Sequence, residues 1–181
     1  FSIYFQDINL KNYLEDIIKK FIFKLKMRVI YRPHPLDLNH KGDYKFVKKI
    51  QNIFSKNSKF KLDNSVSYIE SFNSAKFMVT DVTSSAYTFA YSTNKPVIFF
   101  SPNEQKVKRN GYHKTNYFKD RKKIGILIKN ISSLKKATNL IDKNKVNLKK
   151  KIVLTRNSRI EYFNNSKQRM FLEINKIANN L

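Results

Sequence analysis

Cysteine is absent from the sequence, and glycine occurs only at positions 42, 111 and 125. Without cysteine, disulfide bonds and thiolate metal sites are excluded, which is compatible with a reducing cytosolic setting. Three widely separated glycines cannot form the Gly-x-Gly-x-x-Gly dinucleotide fingerprint, a P-loop or a Gly-x-Ser-x-Gly nucleophile elbow. These absences exclude a redox enzyme of the common dinucleotide type and a P-loop NTPase, and they argue against an α/β-hydrolase.

Long apolar runs and clusters of metal ligands are also missing. No run approaches the roughly 20 apolar residues of a membrane-spanning helix, and no signal-peptide pattern opens the chain. Histidines and carboxylates form no cluster, so we expect no fixed metal site and no cofactor beyond a substrate nucleotide. The chain begins Phe-Ser-Ile-Tyr-Phe without an initiator Met. We therefore expect a piece of a longer protein.

Positive charge is abundant: 37 Lys and Arg against 13 Asp and Glu give a formal net charge of +24. Lysine dominates and is spread through nearly every segment, as expected from A/T-rich codons, so specific nucleic-acid binding is not predicted. A diffuse basic surface favours attraction to anionic lipid or an anionic polymer. The expected location is cytoplasmic, with peripheral contact at the inner face of an anionic membrane.

Hydrophobic spacing predicts alternating strands and helices in the first part of the chain. Apolar residues recur at helical intervals over residues 10–22 and again over 46–54. Ser67 and Glu70 form a capping-box pattern that opens a short helix over residues 68–75. Strands are predicted at residues 1–5, 27–31 and, more weakly, 60–62.

The clearest unit is a strand at residues 76–80, a turn, a helix at 85–91 and a strand at 96–100. This spacing is typical of a right-handed βαβ unit with parallel strands. A further strand is predicted at 122–128, and the last third is predicted to be helical. One helix has an apolar face of Leu134, Ala137, Leu140 and Ile141, and another has an apolar face of Met170, Ile174, Ile177 and Leu181. Between them, residues 142–151 are predicted to be a solvated basic stretch. The alternation predicts one α/β domain over residues 1–181, with a Rossmann-like parallel sheet flanked by helices.

Two loops are predicted at the carboxyl ends of parallel strands, where ligands gather in open sheets. Arg32 and His34 follow the strand at 27–31, and residues 81–85 follow the strand at 76–80. Phosphate binding needs free backbone N–H groups, short hydroxyl donors and the positive end of a helix dipole. Thr83, Ser84 and Ser85 can offer all three.

Each candidate residue also has an ordinary structural interpretation. Ser84 or Ser85 could be only a helix N-cap, and His34 could be a turn residue satisfied by the backbone rather than a phosphate ligand or proton donor. Arg32 could contact phosphate bidentately or extend its head from a strand end into solvent. Asp81 could cap the turn, orient a ribose hydroxyl or bind a metal. His40 and His113 have no supporting pattern.

Four stretches resemble the CDP-glycerol glycerophosphotransferase family, which makes teichoic-acid-like and capsular polymers in bacteria. The stretches are residues 2–5, Tyr-Arg-Pro-His-Pro at 31–35, residues 75–85 continuing into Asn-Lys-Pro-Val-Ile-Phe-Phe at 94–100, and Asn165-Ser166 with Arg169. The resemblance implies the C-terminal, donor-binding half of a GT-B fold. The N-terminal acceptor domain, expected to supply the base, would be absent from this sequence.

In that family, and in similar bacterial sialyltransferases, a His-Pro element and a Ser-Ser element hold a cytidine nucleotide donor. The resemblance implies that His34 contacts or protonates the donor phosphate, that Ser84 and Ser85 bind it, and that Asp81 supports the loop. The loop departs from the family pattern at Val82 and Thr83. Arg32 and Thr83 complete the predicted donor-binding set.

Three functions are compatible with these residues. The first is transfer of glycerol phosphate, or another CMP- or CDP-linked group, to an anionic polymer or glycan acceptor. The second is a nucleotide-binding module without catalysis. The third is a GT-B sugar transferase or epimerase that uses a uridine nucleotide.

Overall fold

The computed structural model describes residues 10–39 and 41–179. It contains two parallel sheets, one of two strands in the order β1-β2 and one of three strands in the order β3-β4-β5. The strands are β1 Val29–Tyr31, β2 Phe60–Leu62, β3 Met78–Thr80, β4 Val97–Phe100 and β5 Gly125–Ile128. The predicted strand at residues 1–5 lies outside the described residues.

Helices connect and flank these strands. The helices are α1 Leu14–Lys19, α2 Pro35–Asn39, α3 Lys41–Phe54, α4 Ile69–Ser74, α5 Ser85–Thr93, α6 Glu104–Arg109, α7 Asn116–Ile124, α8 Leu134–Lys143, α9 Lys145–Asn157 and α10 Ser166–Ala178. A 3-10 turn, Leu10–Tyr13, precedes α1, and a π-helical turn, Lys20–Lys24, follows it. Parallel strands separated by helices confirm the predicted Rossmann-like α/β class.

The βαβ unit is confirmed with small shifts of its ends. β3 pairs in parallel with β4, and Val79 lies opposite Ile98. Helix α5 connects the two strands and ends at Asn94, which adopts the left-handed conformation at φ 56°. Asparagine tolerates that conformation better than most residues, so it ends the helix cleanly before the next strand.

The strand predicted over residues 122–128 is wrong in its first half. Thr115 caps α7 by accepting a hydrogen bond from the Phe118 amide, and the helix then continues to Ile124. Phe118, Arg121 and Ile124 are all buried at three-residue spacing, which is a helical face. Only Gly125–Ile128 remains for the strand.

The basic stretch at 142–151 is only partly a solvated surface. Most of its side chains are exposed, but from Lys145 onward it belongs to α9. Leu148 is buried against the main core, and Ile152, one turn later, is buried under α5. The lysines between these apolar positions concealed the helical spacing.

The capping box predicted at the start of α4 forms only in part. The Ser67 Oγ accepts a hydrogen bond from the Ile69 amide at 3.3 Å. The Glu70 carboxylate instead pairs with Lys61 at 3.3 Å. The helix is therefore present where it was predicted, but the reciprocal bond that defines a capping box is replaced by a surface ion pair.

One core joins the two sheets. Val29 of β1 and Val79 of β3 pack against the same buried cluster, which includes Ile98 and Phe100 of β4. Leu10 packs against this cluster and also against the cluster under β1 and β2. The segment that begins at Leu10 therefore lies where the two sheets meet.

Helix α10 lies at the surface. No side chain of α10 is buried within the part of the chain that the structure describes. Among the described residues, no helix is long and apolar enough to cross a membrane.

Candidate functional site

The candidate site begins at the start of α5, directly beyond the carboxyl end of β3. Thr83 acts as the helix cap: its Oγ1 accepts from the Ser85 amide at 3.3 Å, and its carbonyl accepts from the Ala86 amide at 3.3 Å. The capping role considered for Ser84 or Ser85 therefore falls to Thr83. Both serine hydroxyls are left available for other contacts.

Ser84 is exposed at this helix start, and neither its amide nor its hydroxyl donates to another described residue. The Ser85 hydroxyl has one long contact, 3.4 Å from the Thr83 Oγ1. An amide with no described acceptor, two lightly bonded hydroxyls and a helix N-terminus together favour an anion. The geometry is therefore suited to a phosphate.

Asp81 points back toward the N-terminal segment. Its Oδ2 accepts from the Leu10 amide at 2.9 Å, so the carboxylate caps the turn that leads into α1. Burial raises the pKa of the Asp81 carboxyl, although hydrogen bonds from the Leu10 amide and its own amide oppose that shift. Asp81 therefore links residues 81–85, which we call the phosphate-suited loop, to the segment at Leu10 between the two sheets.

His34 lies on the loop after β1 with an exposed side chain. Its Nδ1 accepts from the Leu36 amide at 3.2 Å, and its carbonyl accepts from the Asp37 amide at 2.8 Å, so it begins α2. An accepting Nδ1 carries no proton, which places the ring hydrogen of the neutral form on Nε2. The free end of the imidazole is then a hydrogen-bond donor.

Arg32, two residues earlier, directs its guanidinium into the loop after β2. Its Nη1 pairs with the Asp63 Oδ2 at 2.6 Å, and its Nη2 donates to the carbonyls of Ser65 at 2.7 Å and Val66 at 3.1 Å. These contacts hold the loop after β1 to the loop after β2. A phosphate contact by Arg32 stays a prediction.

Asp63 is the residue that the sequence interpretation missed. It is buried and accepts hydrogen bonds from Arg32, from the Ser65 amide at 3.0 Å and from the Ser71 hydroxyl. Burial acts to raise the pKa of Asp63, but these hydrogen bonds outweigh it and hold the pKa well below its usual range. Its position directly after β2, matching that of Asp81 after β3, was the signal that could have found it.

An aromatic and charged wall lies beyond β4. Val82, from the phosphate-suited loop, packs with Tyr117 against buried Val107 and Phe118. Behind them the buried Arg121 pairs with Glu104 at 2.7 Å, and Ser101 donates to the same carboxylate at 2.6 Å. This wall fixes one side of the loop at residues 81–85.

The predicted site residues therefore form two groups. Thr83, Ser84 and Ser85 share the start of α5, whereas Arg32 and His34 share the loop after β1. Among the described residues no hydrogen bond joins the two groups directly. The segment at Leu10 links them, because it bonds to Asp81 and packs against the core beneath both sheets.

These features define an α/β protein of the Rossmann-like class with an anion-suited edge beyond its parallel strands. Within that class, the chain belongs to the LIC12162 family of transferases, whose family model matches residues 6–147. The matched range contains both loops of the candidate site. A search of curated proteins and a search of solved structures each found no significant match. The predicted transferase class is confirmed, and the more specific likeness to CDP-glycerol glycerophosphotransferases stays a prediction.

Proposed function

We propose that this transferase takes its donor from a cytidine nucleotide and moves glycerol phosphate, or another CMP- or CDP-linked group, to a cell-surface polymer or glycan. The observation that carries the proposal is the start of α5. There Thr83 supplies the cap, and the exposed Ser84 directs neither its amide nor its hydroxyl to an acceptor among the described residues. The proposal treats the chain as the donor-binding half of a GT-B enzyme.

In the proposed complex, Ser84 and Ser85 hold the donor phosphate through hydroxyl and amide hydrogen bonds. Each hydrogen bond to a charged group contributes roughly 1.5–3 kcal/mol, so a few of them account for useful affinity. Asp81 supports this loop from behind through the Leu10 amide. Group transfer at such a site depends on positioning and on charge stabilisation of the leaving phosphate.

His34 is the proposed catalytic residue. Because its Nδ1 accepts from the Leu36 amide, Nε2–H is the group that can reach a donor phosphate. With the neutral ring and its hydrogen on Nε2, this group donates a hydrogen bond to the leaving phosphate. Transfer of a proton would require a charged ring, whose Nδ1 could no longer accept from Leu36.

Variants at position 34 separate these two roles. His34→Gln keeps a neutral N–H donor near the position of Nε2, whereas His34→Ala removes it. If His34 acts by hydrogen bonding, Gln keeps most of the transfer rate and Ala loses it with a smaller change in donor binding. Equal loss in both variants, with unchanged binding, would instead indicate proton transfer.

Stabilisation of the protein against thermal unfolding by added nucleotides tests which nucleotide the donor contains. CMP or CDP at millimolar concentration should raise the midpoint of thermal unfolding, since a ligand at about 100 times its Kd adds roughly 2.7 kcal/mol of stability. Absence of protection by either cytidine nucleotide would contradict the proposal. Stronger protection by UMP than by CMP would favour the uridine-dependent alternative.

A non-catalytic nucleotide-binding module is the second candidate, because no hydrogen bond between described residues joins His34 to the hydroxyls at the start of α5. It predicts cytidine nucleotide binding without turnover. Release of CMP from CDP-glycerol in the presence of a polyol-phosphate acceptor would exclude it.

A further inference from the structure

Helix α10 presents an apolar face that nothing in the described part of the chain covers. Met170, Phe171, Ile174 and Ile177 are each between 55% and 64% exposed, and we call them the α10 apolar face. Met170, Ile174 and Ile177 are spaced by four and three residues, so they share one side of the helix, and Phe171 adjoins Ile174. Four large apolar side chains on one helix face are more than the scattered exposure of an ordinary surface.

The base of α10 is held to the body of the protein. Arg156 of α9 donates to the Tyr91 carbonyl at 3.1 Å and lies 3.9 Å from the centre of the Phe163 ring. Arg169, in the first turn of α10, donates to the Tyr162 hydroxyl at 3.0 Å and covers that ring. The connection before α10 is therefore held to α9, while the side chains from Met170 to Ala178 are exposed on all sides of the helix.

Charge identifies the kind of surface that this face would meet. Helix α10 carries three basic residues, Lys167, Arg169 and Lys176, and one acidic residue, Glu173. The whole chain carries a net charge of +24. A second copy would bring another +24 charges to the contact, which opposes self-association. A nucleic acid offers negative charge but no apolar phase to receive the side chains.

We infer that α10 docks the protein on an anionic membrane surface, with the α10 apolar face among the acyl chains and its cations at the headgroups. An amphipathic helix lying in the interface gains from both apolar burial and attraction to anionic lipid. This inference goes beyond the proposed donor chemistry and does not depend on it. It assigns the predicted membrane contact to one element.

A fluorescent reporter tests the orientation directly, because the chain contains no tryptophan. Phe171→Trp places the reporter on the α10 apolar face, and Gln168→Trp places it outside that face, on the side of the helix that carries Leu172. With vesicles of equimolar phosphatidylcholine and phosphatidylglycerol, the emission of Phe171→Trp should shift to the blue and that of Gln168→Trp should shift much less. Equal shifts at both positions, or none at position 171, would overturn the inference.

Co-sedimentation with the same vesicles measures the energetic contribution of the face. Phe171→Ser with Ile174→Ser should weaken vesicle binding about tenfold or more, since two exposed apolar side chains lose their lipid contacts. The matched control, Gln168→Ser with Asn175→Ser, changes two exposed polar positions on the same helix and should bind as the unchanged chain does. Unchanged binding of the apolar variant would show diffuse electrostatic attraction and would contradict docking by α10.

Two further measurements distinguish other outcomes. Sedimentation velocity without vesicles should show the same species for the unchanged chain and the apolar variant. A dimer that the serine variant loses would assign the face to a second copy and overturn the membrane inference. CMP protection should be the same in both proteins, so failure of docking is separable from failure of the proposed donor site.

Discussion

Asp63 and Asp81 each come directly after a strand, β2 and β3 respectively. Their surroundings nevertheless shift their pKa values in opposite directions. Hydrogen bonds from Arg32, Ser65 and Ser71 overcome the burial of Asp63 and lower its pKa, whereas burial of Asp81 dominates and raises its pKa. The difference is the number of donors that surround each carboxylate. Asp63 thus stabilises the fold as an anion, while Asp81 is only lightly bonded.

We expect Asp63→Asn to lower the free energy of unfolding at pH 7 by about 2–3 kcal/mol, because it removes charge-assisted hydrogen bonds and leaves Arg32 without its counter-ion. The folded pKa of Asp63 lies below the unfolded value of about 3.9, so its contribution is present above that pH and is lost as the pH falls. The difference in free energy of unfolding between Asp63→Asn and the unchanged protein should therefore become smaller below about pH 4. Urea unfolding at several pH values measures it.

The matched control is Asp142→Asn, which removes a carboxylate from an exposed ion pair with Lys76. A surface pair contributes at most about 1 kcal/mol, so this change should have a small effect. If the two variants lost the same stability, the buried role of Asp63 would be refuted.

Sequence alone placed Thr83, Ser84 and Ser85 at the start of a helix but could not divide their roles. Any of the three hydroxyls could cap the helix, and only the backbone geometry shows that Thr83 does so. The same limit applied to Arg32: its position after β1 was predictable, but its partners come from a loop 31 to 35 residues further on. Contacts over such separations depend on packing, which local patterns do not contain.

At the scale of elements, patterns of apolar residues predicted the strands and most helices, and charge-rich segments caused the errors. Ile124, Ile126 and Ile128 alternate along the sequence as in a strand, although the chain is helical as far as Ile124. In α9, exposed lysines separate the buried Leu148 and Ile152. In both places tertiary burial of one helical face decided the structure.

Gly125 is the first residue of β5, directly after α7, and it lies close against the backbone of the neighbouring strand. A Cβ at this position would lie 1.9 Å from the Val97 carbonyl oxygen, which belongs to the paired strand β4. We expect Gly125→Ala to destabilise the fold by about 2 kcal/mol or more, because a rigid backbone must move to admit the methyl group. Thermal or urea unfolding measures the loss.

Gly111→Ala provides the comparison. Gly111 has a positive φ of 74°, but a methyl group added there would meet no neighbouring atom within 4 Å. The expected cost is therefore backbone strain alone, about 1–2 kcal/mol. A Gly111 variant as unstable as the Gly125 variant, or less stable, would contradict the steric account of β5.

At the scale of the whole molecule, the net charge of +24 opposes compaction. The described ion pairs between exposed side chains, such as Lys61 with Glu70 and Lys76 with Asp142, involve few of the cations. Most lysines therefore repel one another across the surface, and salt should relieve that repulsion. This excess of charge is also what favours an anionic partner.

We expect the free energy of unfolding to rise when NaCl increases from about 10 mM to about 100 mM, as the screening length falls from roughly 30 Å to 10 Å. Vesicle binding should weaken over the same range. Urea unfolding at each salt concentration checks the first effect. A stability that falls with added NaCl would mean that attractive ion pairs outweigh the general repulsion.

Calorimetric titration of CMP tests most directly whether the start of α5 binds the phosphate of a cytidine nucleotide. Ser84→Ala with Ser85→Ala should weaken CMP binding at least tenfold, about 1.4 kcal/mol, without unfolding the chain. Ser92→Ala, which changes an exposed serine in the last turn of the same helix, should leave the affinity unchanged. Equal CMP affinity in the double variant and in the Ser92 control would contradict the assignment.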